Sequence, residues 1–152
     1  MITGSQEQKY ITFTIGDEEY GIPVLEIHEI VRLENIIQVP NAVHYLVGMM
    51  DVRGTVIPIL DLRKKLGIEG ISSDVERAIL FSVGKRKIGL AVEKVAHVMN
   101  FGPDQIDEGP PVLRNQSHRH ITGVAKVQDR FIVLITLENL FAPDEVENFF
   151  AD

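Results

Sequence analysis

The chain has 152 residues, with 15 Lys+Arg against 22 Asp+Glu, a net charge of −7 and no cysteine. A chain of this length buries roughly 70% of its unfolded surface and needs no staple, and the lack of cysteine excludes a disulfide framework, a thiolate metal site and a cysteine nucleophile. The acidic balance argues against nucleic acid or an anionic membrane as main partner; the polar start MITGSQEQKY and the absence of any run near the ~20 apolar residues of a spanning helix predict a soluble cytoplasmic protein.

In chain order, FTIGDEEYGIPVLEIHEIV from Phe13 is rich in Ile, Val, Phe and Tyr and punctuated by turn residues, as strands are, with Gly16-Asp17 at a tight hairpin. Val24, Ile27 and Val31 also fit helical spacing, but β-branched enrichment favours strand. Pro40-Asn41 ahead of AVHYLVG predicts the start of a helical turn. GMMDVRGTVIPILDL from Gly48 follows, two apolar runs around a hairpin tip at Arg53-Gly54. Pro58 breaks a ladder on one side and marks an edge strand or bulge. DLRKKLG then closes the half as a short helix.

The pattern recurs. FSVGKRKIGLAVEKVAHVM from Phe81 lies over the stretch from Phe13 at an offset of 68, bringing Gly16 onto Gly84 and Gly21 onto Gly89. GVAKVQDRFIVLITL from Gly123 lies over the stretch from Gly48 at an offset of 75. The second half thus carries about seven extra residues, around GPPVLRNQSHRH, which reads as a loop. LENLFAP closes this half with another short helix. Two runs of about five short strands, too small for open sheets, predict closure into barrels. The expected fold is all-β: two similar five-stranded β-barrels (SH3/OB-like) packed together, with a few short helices. Residues 10–150 would form one domain of two pseudo-repeat subdomains, about 13–67 and about 77–142, with strand exchange between them allowed. A groove between the halves is the expected binding place.

Positions where the halves disagree are not all dictated by the shared fold. Val52-Arg53-Gly54-Thr55 matches Val127-Gln128-Asp129-Arg130, and Glu29 matches His97. Glu29 and Arg53 are therefore a candidate pair unique to one half, and the planar fork of Arg53 can hold a carboxylate while its remaining donors face a partner. The alternative is an ordinary surface ion pair worth ~0–1 kcal/mol. Catalytic signatures are missing: no G-x-S-x-G, no phosphate loop, no H-E-x-x-H. Asp17, Glu18 and Glu19 sit on a turn where solvated carboxylates are ordinary. His118 and His120 suggest a metal site, as in a metal-dependent hydrolase, but no third ligand stands at suitable spacing. Phe149 and Phe150 read as docking on the protein's own core. A small-ligand-binding β-barrel is a further alternative.

DVRGTVIPILDL from Asp51 resembles the hallmark N-L-R-G-x-x-[IV]-P-[IV]-x-[DN]-L of the CheW-like family of chemotaxis coupling proteins. The resemblance runs from about Tyr10 to Phe141, with two departures: Asp51-Val52 for Asn-Leu, and Thr136 where Asp is common. It implies two five-stranded barrels and a non-catalytic adaptor, without cofactor or metal, that links transmembrane chemoreceptors to the histidine kinase CheA. The partners implied are the kinase's regulatory domain and the receptor's cytoplasmic hairpin tip, in arrays on the inner face of the membrane, with no nucleic acid and no direct membrane insertion. Carried over by position, the receptor-binding residues are Glu29, Arg53, Val56 and, across the groove, Val98; the kinase-binding residues are not indicated. A coupling or regulatory fragment of a CheV- or CheA-type protein shares the resemblance.

Overall fold

The structure, a computed structural model, describes residues 7–15, 17–68, 75–93, 95–108 and 120–150. Gly16, His118 and most of the extra loop lie outside the described residues. Two compact units emerge, one from Met1–Glu26 with Val95–Phe141, the other from Ile27–Lys94 with Ala142–Asp152. Each therefore draws strands from both sequence repeats. The fold is mostly β, two curled sheets with few helices, as the repeat predicts. No helix among the described residues is long and apolar enough to cross a membrane.

The first unit contains β1 (Gln8–Ile15), β2 (Glu18–Pro23), β8 (Val95–Phe101), β9 (Ile106–Asp107), β10 (Ile121–Val127) and β11 (Arg130–Ile135), ordered β8-β1-β2-β11-β10-β9. The second contains β3 (Glu29–Arg32), β4 (Leu46–Val52), β5 (Thr55–Asp61), β6 (Arg77–Val83) and β7 (Arg86–Val92), ordered β3-β6-β7-β5-β4. The helix α1 (Leu62–Lys65) follows β5, and α2 (Pro143–Glu147) lies near the C-terminus.

Curling follows from chain connectivity. β8 and β9 stand at opposite ends of a six-stranded order, yet only Gly102 to Gln105 join them. A flat sheet would hold its outer strands ~24 Å apart at ~4.8 Å per gap. The linker spans at most ~17 Å fully extended, and part of it is a 3-10 turn. The sheet has to roll until its ends approach. The second unit closes the same way: after β3, Ile37 makes an isolated antiparallel bridge to Met49 of β4, with both N–H···O distances 2.8 Å.

The repeat explains the register. β11 runs parallel to β2 with Leu134 opposite Gly21, and β5 runs parallel to β7 with Ile59 opposite Gly89. These are the same two repeat positions, with the repeats exchanged. The matched glycines leave room for the matched side chains: a Cβ on Gly21 would come within 3.0 Å of Leu134 Cδ2, and one on Gly89 within 2.6 Å of Ile59 Cδ1. β5 and β7 are buried over five consecutive residues each, which is why both read as unbroken apolar runs instead of alternating ones. Pro58 has a matching explanation. Its strand is central in the order, but the ladder to β7 begins one residue later, at Ile59, whereas the matched Val133 is already paired with Tyr20. A residue without an N–H sits where that side carries no ladder.

Each unit has its own core. Met50, Ile57, Ile59, Ala78, Leu80 and Ala91 cluster in one, and Tyr10, Phe101, Ala125, Ile132 and Leu134 in the other. The matched Phe13 and Phe81 are both fully buried. Pro40-Asn41 forms a turn without a helix: Asn41 adopts φ 59°, outside helical dihedrals, and a single further turn, with the Leu46 N–H on the Val43 carbonyl at 3.1 Å, leads into β4. The segment read as ambiguous resolves into a 3-10 turn over Val24–Glu26 followed by strand β3.

The C-terminal segment docks on the second unit through polar and aromatic contacts. Glu145 accepts hydrogen bonds from Tyr45 Oη and Lys65 Nζ and, at 3.2 Å, from the Ala142 N–H. Arg86 forks onto Glu147 at 3.0 and 3.1 Å and lies 4.3 Å from the Phe150 ring centroid, while Phe149 meets Tyr45 edge-on. Burial pushes the Glu145 carboxyl up, but the bonds from Lys65, Tyr45 and Ala142 outweigh it and hold the pKa below the ordinary value. A carboxylate whose folded pKa is depressed contributes stability above its unfolded pKa and loses it as pH falls through the folded one. Urea midpoints should therefore fall between about pH 5 and pH 3, and fall less in Glu145→Gln than in the parent. Equal losses would remove Glu145 as a source of acid sensitivity.

Candidate functional site

The hairpin joining β4 and β5 turns through Arg53 and Gly54, at φ 50° and 90°. Positive φ at both central residues is the signature of the tight turn whose twist matches its flanking strands. Glycine meets this without cost, but an L-residue with a full side chain in the left-handed region costs roughly 1 kcal/mol. The turn is fixed from below by Asp51, whose Oδ1 accepts the Gly54 N–H at 2.8 Å. Aspartate thus supplies the acceptor oxygen that an asparagine would offer at this position, so the departure at Asp51 leaves the turn chemistry intact.

From this tip the Arg53 side chain forms an ion pair with Glu29 of β3, with 68% of the arginine side chain and 34% of the glutamate's exposed. β3 and β4 are the two ends of the strand order. The pair therefore spans the seam of the curled sheet, on the same closure that the Ile37–Met49 bridge makes. With this exposure its contribution to stability is ~0–1 kcal/mol. Val56, paired across the hairpin with Asp51, is half exposed. Three of the four candidate residues thus lie in one unit around one hairpin. Val98 belongs to the other unit, on the edge strand β8, where it pairs with Ile11 and is 60% exposed.

The matched hairpin of the first unit shares the backbone but not the charge. Gln128 also adopts positive φ, at 56°. Phe131 matches Val56 and is likewise exposed, with Lys126 opposite it in place of Asp51. Here the arginine is Arg130, which reaches Glu19 at 3.2 Å on the adjacent strand β2. Turn strain is common to both hairpins; the arginine at the tip is particular to one.

A model of the CheW-like domain matches residues 9–145. The chain belongs to the CheW-like domain family. Among relatives, the chemotaxis protein CheW of Klebsiella aerogenes is 29% identical over 140 residues, covering 91% of this chain and 84% of that protein. A probable chemotaxis protein CheW of Rhizobium etli is 28% identical, covering 93% and 92%. The scaffolding protein TtCheW of Thermoanaerobacter tengcongensis superimposes with a TM-score of 0.77 at 31% identity, covering 92% of this chain and 91% of that one. The hairpin just described carries the CheW-like hallmark, and the family is one of scaffolds, not catalysts. No group of three or more metal-ligating side chains is found among the described residues, which include His120 but not His118.

Sequence comparison missed one polar element, the side chain of Glu26. In the second unit Asp61 caps α1 locally, its Oδ1 accepting the Lys64 N–H at 3.2 Å. The matched Thr136 makes no such cap. Instead Glu26 accepts from Thr136 Oγ1 at 2.8 Å and from the Leu137 N–H at 2.6 Å. The signal was present in the repeat, since Glu26 matches Lys94 while Thr136 matches Asp61. The carboxylate has moved from one element to another.

Proposed function

We propose that this chain is a chemotaxis adaptor that couples chemoreceptors to the histidine kinase CheA. In this reading Glu29, Arg53, Val56 and Val98 contact the receptor's cytoplasmic hairpin tip. The observation that carries it is the Arg53–Glu29 pair, displayed on a hairpin tip beside the exposed Val56 in a chain of this family. Glu29 fixes the arginine's direction, and the remaining guanidinium donors face outward to set the register of a docked helix. Val56 and Val98 offer the apolar contacts that an amphipathic helix needs. The kinase's regulatory domain binds elsewhere on the surface, and the complex assembles at receptor arrays on the inner face of the membrane.

The test is a calorimetric titration of a receptor cytoplasmic fragment and, separately, of the kinase regulatory domain, with parent protein and Arg53→Ala. A micromolar contact is worth about −8 kcal/mol, and truncating a hot-spot arginine costs ~2 kcal/mol, about thirtyfold. The receptor arm should weaken by that factor while the kinase arm holds. Receptor affinity within twofold of the parent, in a variant with unchanged circular dichroism, would sink the assignment of Arg53. Binding of neither partner by the parent would sink the coupling function itself.

A further inference from the structure

The C-terminal segment, residues 142–150, is attached to the second unit by side chains alone. Among the described residues its backbone hydrogen bonds all stay inside it: Val146 and Asn148 donate to the carbonyls of Ala142 and Asp144, and Phe149 and Phe150 to those of Val146 and Glu147. Within α2 only Val146 is buried, whereas Asp144 and Glu147 are exposed. Five helical residues fall far short of the ~12–15 at which isolated helices become stable, so the face beneath must order the segment.

That face is assembled from three places in the unit. Tyr45 stands just ahead of β4, Lys65 on α1 and Arg86 on β7. Lys65 and the Tyr45 hydroxyl both donate to Glu145, and the Lys65 ammonium lies 5.0 Å from the Tyr45 ring centroid. Arg86 holds Glu147 with its fork and Phe150 with its plane, while Phe149 meets the Tyr45 ring at 6.1 Å. The face thus reads two carboxylates two positions apart. Between and after them come Val146, Phe149 and Phe150, the i, i+3, i+4 anchor spacing of a helix held in a groove. Residues 142–150 carry three carboxylates and no basic residue, the charge complement of Lys65 and Arg86.

We propose that this face is a docking site for an acidic amphipathic helix of a partner protein, which residues 142–150 occupy in that helix's absence. A partner helix above the length limit arrives already ordered. It can also cover more of Arg86, whose side chain is 42% exposed beside Glu147. A second copy of the chain is the poorer occupant, because it brings only the same segment against one tethered at ~mM effective concentration. The inference does not depend on the coupling function, since the face shares no residue with the Arg53 hairpin or with Val98.

The experiment uses the whole chain and a fluorescein-labelled peptide of residues 142–150, read by anisotropy. In Glu145→Lys with Glu147→Lys, cations face Lys65 and Arg86 and lift the chain's own segment. The peptide should bind this variant with submillimolar affinity, at least about tenfold tighter than it binds the parent, because the tethered competitor is gone. Adding Arg86→Glu should abolish that gain. No binding to the variant, equal binding to variant and parent, or binding that Arg86→Glu leaves unchanged would overturn the inference. Hydrogen exchange of the parent tests it without any variant. The Asn148, Phe149 and Phe150 amides should exchange at least about tenfold faster than those of β6 and β7, and faster still in high salt, which screens the exposed Arg86–Glu147 pair. Exchange in step with β6 and β7 would make the segment an integral part of the fold, and parent dimers that Glu147→Lys abolishes would give the face to a second copy; either result overturns the proposal.

Discussion

Gly48→Ala should cost roughly 3 kcal/mol or more, several times the effect of an alanine at the exposed turn glycine Gly54. A Cβ on Gly48 would lie 2.5 Å from the Ile37 carbonyl oxygen and 2.5 Å from Ile36 Cγ2. The Ile36 side chain is free to shift, but the carbonyl is fixed, because it accepts the Met49 N–H in the bridge that closes the curled sheet. Relief of the clash therefore requires opening that bridge, with two hydrogen bonds at ~1 kcal/mol each, together with overpacking of 1–3 kcal/mol. At Gly54 an added Cβ meets nothing within 4 Å, so only its positive φ is penalised. The matched Gly123 faces the Asp107 carbonyl at 2.9 Å, a milder conflict at the corresponding closure of the other unit. The expected order of cost is Gly48, then Gly123, then Gly54. Urea unfolding of the three alanine variants checks it, and a Gly48→Ala midpoint equal to that of Gly54→Ala would show that the bridge is not rigid.

Glu26→Ala should cost about 3 kcal/mol. Two charge-assisted hydrogen bonds at ~1.5–3 kcal/mol each are lost, one from the Thr136 hydroxyl and one from the Leu137 N–H, and Thr136 is only 7% exposed. The stronger test is an exchange. Thr136→Asp alone places a second carboxylate against Glu26 and should destabilise. Glu26→Lys with Thr136→Asp recreates the combination that the repeat carries at Lys94 and Asp61, and should recover much of the loss. A coupling energy of at least ~1 kcal/mol is expected from the double-mutant cycle. Additive losses would mean that the two positions do not share one capping task.

Much of this was legible because the sequence contains its own comparison. Offsets of 68 and 75 predicted matching strands and hairpins, and the observed registers of Gly21 with Leu134 and Gly89 with Ile59 follow those offsets. The difference between halves at Glu29 and Arg53 singled out two residues that do pair. Contacts tied to no repeat position were not legible. Tyr45 and Glu145 lie 100 residues apart, and neither has a periodic or motif context that points to the other. The turn at Pro40-Asn41 misled because proline marks helix starts and turns alike, and only the left-handed Asn41 decides between them.

Reciprocal exchange of strands makes the two sequence repeats inseparable. β2 finds its parallel partner β11 only when the chain has been made almost to its end, and α2, on the second unit, is later still. A nascent chain halted after the first repeat would hold β1 to β5 without β6 and β7 between β3 and β5, and without β8 beside β1 or β11 beside β2. Truncation anywhere between the repeats should give a fragment with open strand edges, prone to pair with its neighbours. Two such fragments supplied together have complementary edges, so a chain cut between Ile68 and Val75 should reassemble from its halves.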